Sequence, residues 1–463
     1  MAGVVEELLE ALGADIVLVG DAVPERNRDD WSGLPPTDPL AVLRPRSTGQ
    51  VAAALRVCHA RGQPVVPQGG LTGLVGGGRA GSGEVALSLE RMVGVEEIDP
   101  ATATMTVLAG TPLERLQAAA DDAGFLLPLD LGARGSCAIG GNISTNAGGN
   151  RVIRYGMTRE MVLGLEVVLA DGTVLPGLNK LIKNNAGYDL KQLFVGSEGT
   201  LGVVTRATLR LQPKPTCVQA AFCALPSFDA VIALLQGARA GLGPSLSAFE
   251  VMWADYYGFV LRHIHGVRAP VADGQAFYVL VEAQGTDEAA DQARFEAWLE
   301  RTLEEGVIVD AALAGSLADV KAFWGVRDAA GEFRQTPLGP EHMSFDIGLP
   351  AGDMGAYVDA CRTRLEASLP GIIALFYGHI GDGNLHIVAA VPGTRGPQPK
   401  EAVEELVYGL LPGTRGTVSA EHGIGTRKRR WLPYSRSPEE LAVMRTLKAA
   451  LDPRGILNPG KVI

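Results

Sequence analysis

The stretch Gly196-Ser197-Glu198-Gly199-Thr200-Leu201-Gly202-Val203-Val204-Thr205 decides how this 463-residue chain is read, together with Gly140-Gly141-Asn142-Ile143-Ser144-Thr145-Asn146-Ala147-Gly148-Gly149-Asn150. Both mix glycine with small polar residues beside strand-like runs. Glycine accepts positive φ and lets backbone N–H groups approach a ligand with no Cβ in the way. Successive N–H groups of this kind form nests that hold phosphate without cationic side chains. Pro67-Gln68-Gly69-Gly70-Leu71-Thr72-Gly73-Leu74 and Gly135-Ser136-Cys137-Ala138-Ile139 add two more such stretches. One loop alone is equally compatible with a tight turn; four in one region point to a large phosphate-containing cofactor. None is a GxGxxG leading into a helix with a distant acid, and no GxxxxGK[ST] occurs, so a non-Rossmann fold is expected.

Working outward, the first 215 residues alternate short apolar strands with amphipathic helices. Thr48 to Gly62 carries Val51, Leu55 and Cys58 at helical spacing, followed by a strand at Pro64 to Pro67. A strand over 105–109 leads to a helix expected to start at Pro112 with Thr111 as its cap. Asp171-Gly172, between two strand-like runs, signals a hairpin. Pro213-Lys214-Pro215 marks a boundary. Beyond it the pattern predicts strand 217–224, helix 227–240, strand 276–284, helix 287–305 and helix 316–334, an α+β arrangement on an antiparallel sheet. A terminal helix is expected over 438–451. The expected domains are therefore 1–215, 216–425, and a segment 426–463 returning to the first.

Composition narrows the function. With 41 Lys+Arg against 52 Asp+Glu the formal net charge is −11, which disfavours nucleic-acid or anionic-membrane binding. No apolar run is long enough to span a bilayer, and the N-terminus has no export pattern. The five cysteines, Cys58, Cys137, Cys217, Cys223 and Cys361, form no CxxC pair and no even framework. A reduced, cytoplasmic protein without an iron–sulfur cluster is expected.

The glycine loops resemble the FAD-binding domain of the vanillyl-alcohol-oxidase, or PCMH-type, superfamily. Residues 67–78 look like its first phosphate loop, 128–149 like its central cradle, 196–205 like its closing motif, and Asn458-Pro459-Gly460-Lys461 like its C-terminal return. The resemblance implies an α+β fold: a two-subdomain FAD domain plus a cap domain with a large antiparallel sheet. It implies FAD contacts from Pro67, Gln68, Gly69, Gly70, Leu71, Thr72, Gly73, Leu74, Pro128, Gly135, Ser136, Ile139, Gly140, Gly141, Asn142, Thr145, Asn146, Gly148, Gly149, Gly199, Gly202, Val204 and Asn458. Many relatives attach FAD through His or Cys. No His lies between His59 and His263, and Cys137 falls off the usual attachment position, so non-covalent FAD is expected.

Histidines gather late, at His342, His379, His386 and His422. In Gly378-His379-Ile380-Gly381-Asp382-Gly383-Asn384-Leu385-His386 a two-residue Asp382-Gly383 turn would set His379 opposite His386, with Cβ atoms about 4.5–5.5 Å apart. Two imidazoles so placed converge on one divalent ion, with Glu421 as candidate third ligand and open positions left for substrate. Two packed sheet histidines beside an unrelated surface Glu-His would be the bland alternative.

The same constellation resembles the D-2-hydroxyacid dehydrogenases of this superfamily, among them the D-2-hydroxyglutarate and D-lactate enzymes. The resemblance implies zinc or a similar ion on His379, His386 and Glu421, with His422 as catalytic base and substrate contact. A neutral imidazole suits proton removal near pH 7. It places Arg327 on a substrate carboxylate, a task for which a guanidinium fork is suited, and Asn384 beside the substrate. It also places Gly331, Ser344 and Val388 where the hydroxyglutarate branch carries Thr, Lys and Asn for the distal carboxylate; Arg334 or His342 are the candidates to replace them. Expected partners are a small D-2-hydroxy acid, an acceptor such as an electron-transferring flavoprotein or a quinone, and a second copy of the chain in a homodimer. The active site is expected where the two domains meet. Two rival classes remain at this point: a zinc hydrolase on His379, His386 and Glu421, recognisable by a colourless protein, and a non-catalytic FAD-binding subunit, recognisable by bound flavin without turnover.

Overall fold

The computed structural model describes residues 3–394 and 397–463. The chain divides into two units, one of Met1–Gly149, Gly156–Lys214 and Glu421–Ile463, the other of Asn150–Tyr155 and Pro215–Ala420.

The first unit holds two larger sheets. Strands β1 (Val17–Leu18), β2 (Ala41–Leu43), β3 (Val65–Gln68) and β4 (Val85–Ser88) form one, in the order β1-β2-β4-β3, with β2 and β3 parallel to β4. Strands β5 (Val95–Asp99), β6 (Thr104–Leu108), β8 (Val162–Val168), β9 (Val174–Gly177) and β10 (Val203–Arg210) form the other, antiparallel, in the order β5-β6-β10-β8-β9. The short pair β7 (Phe125–Leu126) and β11 (Gln212–Pro213) completes the unit's strands. Helix α1 (Val4–Leu12) precedes helix α2 (Thr48–Arg61), whose first turn is capped by the Ser47 hydroxyl accepting from the Gln50 amide. Val51, Leu55 and Cys58 point α2 into the core as their spacing predicts, and Gly62 ends it in the left-handed region. The Asp171-Gly172 hairpin forms, its last strand pair being Val168 and Val174.

Helix α3 (Leu113–Asp122) corrects one expectation. Thr111 is not its cap, because its hydroxyl donates to the Leu108 carbonyl at 2.6 Å and accepts from the Gly94 amide at 3.0 Å. Pro112 takes the cap position instead. The short helices α4 (Ile139–Thr145) and α6 (Thr158–Met161) and the terminal helix α13 (Pro438–Leu451) belong to the same unit. Residues 421–425, expected in the middle domain, belong to this unit too. Glu198 accepts from the N–H of Ile424 and of Gly425, and the Val75 carbonyl accepts from that of the following Thr426.

The second unit is built on an antiparallel sheet of seven strands: β12 (Cys217–Leu225), β13 (Leu246–Trp253), β14 (Phe277–Gly285), β15 (Asp310–Leu313), β16 (Met343–Gly348), β17 (Ile373–Gly378) and β18 (Asn384–Ala390). Their order is β15-β12-β14-β13-β17-β18-β16. Helices α7 (Phe228–Leu242), α8 (Ala254–His263), α9 (Glu288–Glu304), α10 (Leu317–Arg327), α11 (Met354–Ser368) and α12 (Lys400–Tyr408) accompany it. Phe222, Tyr256, Tyr257, Tyr278, Phe323 and Phe333 make one apolar core, each such ring gaining roughly 1.5–3 kcal/mol on burial. The short helix α5 (Val152–Tyr155) joins this unit because Arg154 donates to the carbonyls of Ser245 and Gln284.

The second unit departs from expectation at two places. The helix over 316–334 stops at Arg327 and continues as a 3-10 turn over Asp328–Gln335. The Tyr256 hydroxyl donates to the Arg327 carbonyl at 2.6 Å, so that acceptor is engaged from outside the helix. Asp382-Gly383 does not make a two-residue hairpin. The His379 carbonyl accepts from both Asp382 and Asn384, which closes a wider loop over 379–383 and sets Tyr377, not His379, opposite His386. All five cysteines are free and buried. No described helix is long and apolar enough to cross a membrane.

Candidate active site

The glycine loops of the first unit wall a cleft of about 390 Å³, within the range of small-molecule sites. Pro67 to Leu74, Gly140, Gly141, Asn142, Thr145, Gly148, Gly199, Gly202 and Val204 all line it. The loop after β3 has the property that makes it a binding element: among the described residues, none from Gly70 to Leu74 donates a hydrogen bond from its backbone N–H. These residues are half-buried or exposed, so their N–H groups form an accessible row of donors of the kind that receives an anion. Gly73 and Gly141 line the same cleft, and a Cβ added to either would meet no protein atom within 4 Å. Asn142 contributes a buried carbonyl oxygen with no partner.

Seven expected cofactor residues do not line the cleft. Gly135 and Ser136 are exposed, whereas Pro128 and Ile139 are buried. Gly149 pairs with Asp130. Asn146 accepts from the Arg159 amide, and Asn458 donates to the carbonyls of Gly77 and Glu198. Sequence reasoning missed Asp30, Trp31 and Glu198, which also line the cleft. Nothing in the local pattern around Asp30-Trp31 signals a loop that returns to the glycines, but Glu198 is an acid set between glycines, and that was legible.

Glu421 and His422 belong to this unit and both line the cleft. Glu421 accepts from the Gly149 amide at 3.1 Å.

In the second unit His379 closes β17 and His386 stands on β18, their rings perpendicular with centroids 5.2 Å apart. Behind them lies a residue that the sequence reading missed. Glu250, on β13, takes the His379 Nδ1 on one oxygen and the Arg327 Nε on the other, each at 2.7 Å. Burial alone would raise its carboxyl, but His379 and Arg327 outweigh that and hold it down at about 2. The signal was a single charge within Leu246-Ser247-Ala248-Phe249-Glu250-Val251-Met252-Trp253, since acids are rarely buried unless paired. Arg327, at the end of α10, is buried. Its NH2 lies 2.8 Å from His379 Nε2, and its guanidinium stacks 5.4 Å from the Tyr377 ring centre. Arginine only donates, so Nε2 is the acceptor and the proton sits on Nδ1, facing Glu250.

Asn384 is buried and donates to Asp346 at 3.0 Å, which fixes its amide and leaves its carbonyl oxygen without a partner. Asp346 also accepts from Ser419 and faces His386 across β16 and β18. Gly331 and Ser344 are exposed, while Val388 lies in the apolar core. Arg334 is exposed, and the Nδ1 of His342 lies 2.7 Å from the Gly339 carbonyl.

Residues 39–176 match the family model described as FAD binding domain, and residues 214–462 match that of FAD linked oxidases, C-terminal domain. The chain belongs to the FAD-linked oxidase family. A protein of Bos taurus named D-2-hydroxyglutarate dehydrogenase, mitochondrial, is 44% identical over 94% of this chain and 78% of its own length. A protein of the same name in Arabidopsis thaliana is 41% identical over 98% and 80%. D-2-hydroxyglutarate dehydrogenase of Xanthomonas citri pv. viticola is 41% identical over 94% and 91%. Among solved structures, p-cresol methylhydroxylase with substrate bound superposes with a TM-score of 0.78 at 17% identity, covering 99% of this chain and 96% of that one. That likeness carries the fold alone, and the PCMH-type expectation is borne out. This is an FAD-linked oxidoreductase of mixed α and β structure. The row of amides from Gly70 to Leu74 and the open space before Gly73 and Gly141 suit the pyrophosphate of FAD.

Proposed function

We propose that this chain oxidises a D-2-hydroxy acid, of the D-2-hydroxyglutarate or D-lactate type, to the corresponding 2-oxo acid, with FAD held non-covalently in the glycine-walled cleft. The observation that carries this reading is that His422 lines the same cleft as the phosphate-binding loops. FAD, when bound, accepts the hydride released from the substrate Cα. His422 takes the hydroxyl proton, so the substrate loses two electrons and two hydrogens in all. Arg327 binds a substrate carboxylate, and Asn384, its amide held by Asp346, offers its side-chain carbonyl oxygen to the substrate. The names of the relatives support the substrate class.

A divalent ion, zinc by its ligand chemistry, would be held by His379, His386 and Glu421. The second unit supports this on one point. Glu250 secures the Nδ1 of His379, the arrangement found behind metal-bound histidines, and Nε2, which accepts from the Arg327 guanidinium at 2.8 Å, would exchange that donor for the ion. Such an ion would lower the pKa of the substrate hydroxyl and anchor its carboxylate. Electrons leave by an electron-transferring flavoprotein or a quinone. Gly331, Ser344 and Val388 offer no cation to a second carboxylate, so short and long acids belong in the same test.

The test is anaerobic reduction of the purified yellow protein by D- and L-enantiomers of lactate, 2-hydroxyglutarate and intermediate acids, with and without a chelator. Bleaching by a D-acid, abolished by the chelator and restored by zinc, is expected. Bleaching by L-acids alone would refute the substrate class; indifference to the chelator would refute the metal.

A further inference from the structure

Glu198 carries a burden that its glycine-rich setting does not require. Its φ is +51°, in the left-handed region, where a residue with a Cβ is strained by roughly 1–2 kcal/mol. Gly196 and Gly199 beside it also have positive φ. A third glycine at 198 would cost less, yet the position holds a long acid, so the side chain must be needed. Its task is visible within the first unit. One carboxylate oxygen accepts from the Ile424 amide at 2.7 Å and the other from the Gly425 amide at 2.8 Å. Gly423 fits so closely against the same carboxylate that an added Cβ would stand 2.8 Å from it. His422 is the next residue along.

The base of this clamp is itself fixed. The Glu198 amide donates to the Ser144 carbonyl at 2.7 Å, and its own carbonyl accepts from Asn458. Glu198 also lines the cleft. Burial has the largest influence and leaves its carboxyl above the usual carboxylate range, although the two amides and Lys428 draw it down.

On the reading that His422 removes the substrate proton, we propose that Glu198 is a positioning residue: its carboxylate clamps the two amides after Gly423 and thereby sets where the His422 imidazole stands on the cleft. The glycine motif that shapes the cleft would then also align the base. A misplacement on the order of 1 Å can slow a reaction about 100-fold, so loss of the clamp should appear in the reductive half-reaction.

The experiment compares flavin-loaded wild type with Glu198→Gln, Glu198→Gly, His422→Asn and the double variant Glu198→Gln/His422→Asn. Glutamine keeps the size but offers one oxygen to two amides. Amide hydrogen exchange over residues 423–426, compared at equal flavin loading, should quicken about tenfold or more. Anaerobic bleaching at saturating D-acid should slow by about 10–100-fold. The double variant should be no slower than His422→Asn, because both changes disable one device. Glu198→Gly relieves the backbone strain but leaves two amides without their acceptor, so it should melt no higher than the wild type and still bleach slowly. Unchanged exchange, normal bleaching in spite of fast exchange, or losses that add in the double variant would each overturn the proposal. A wild type that no D-acid bleaches would instead sink the functional reading, and the exchange comparison would still decide whether the clamp exists.

Discussion

Glu250 shows how one side chain can organise a site from beneath it. It is 1% exposed, and its two oxygens are divided between Arg327 and His379. Removing one member of a buried ion pair leaves the other charged and unpaired, which costs about 3–5 kcal/mol. Glu250→Gln should therefore destabilise the protein by about 3 kcal/mol in urea titrations, whereas replacing Glu250 and Arg327 together with methionine should cost much less. A Glu250→Gln loss under about 1 kcal/mol would mean that the pair contributes little. This residue also marks where the sequence stops being legible. His379, His386 and Arg327 stand out because their residue types carry chemistry wherever they occur. Glu250 acquires its role only from partners 77 and 129 positions away, which no local window contains.

Among the elements, those built from neighbouring residues were legible. Helix α2 follows from Ser47, its apolar spacing and Gly62, and the glycine loops follow from their own composition. The 379–383 loop was not, since Asp382-Gly383 is as much at home closing a wider loop as a two-residue turn, and the choice falls to the His379 carbonyl. Two glycines of the cleft separate structure from binding. A Cβ on Gly70 would meet the Ser136 carbonyl oxygen at 2.1 Å and the Cys137 Cα at 2.6 Å, so two backbone segments would have to part. A Cβ on Gly141 would meet nothing within 4 Å and would occupy space in the cleft. Gly70→Ala should lower the melting temperature of the apoprotein. Gly141→Ala should leave it unchanged and weaken flavin binding about tenfold or more, the equivalent of about 1.4 kcal/mol. Equal effects of the two on stability, measured without flavin, would show that packing and binding are not divided between these glycines.

For the whole molecule, the cleft walls come, among the described residues, from the first unit alone: Asp30 and Trp31, the loop after β3, Leu89, the glycine segments around Gly132 to Gly148 and Glu198 to Val204, and Glu421 with His422. The second unit has its own core under its own sheet. A ligand that binds only the folded state stabilises whatever part folds around it, by about 4 kcal/mol when present at about 1,000 times its Kd. That energy should therefore be spent on the first unit. Stripping the flavin should speed amide exchange in residues 70–74, whose N–H groups have no protein acceptor, and in the strands of the first unit, while β12, β13 and β14 keep their protection. Melting should change from one transition to two, with only the lower one moved by added FAD. If peptides of β12–β14 lost protection as much as those of β3 and β4, the flavin would be supporting both units, and the cleft could not be its whole binding site.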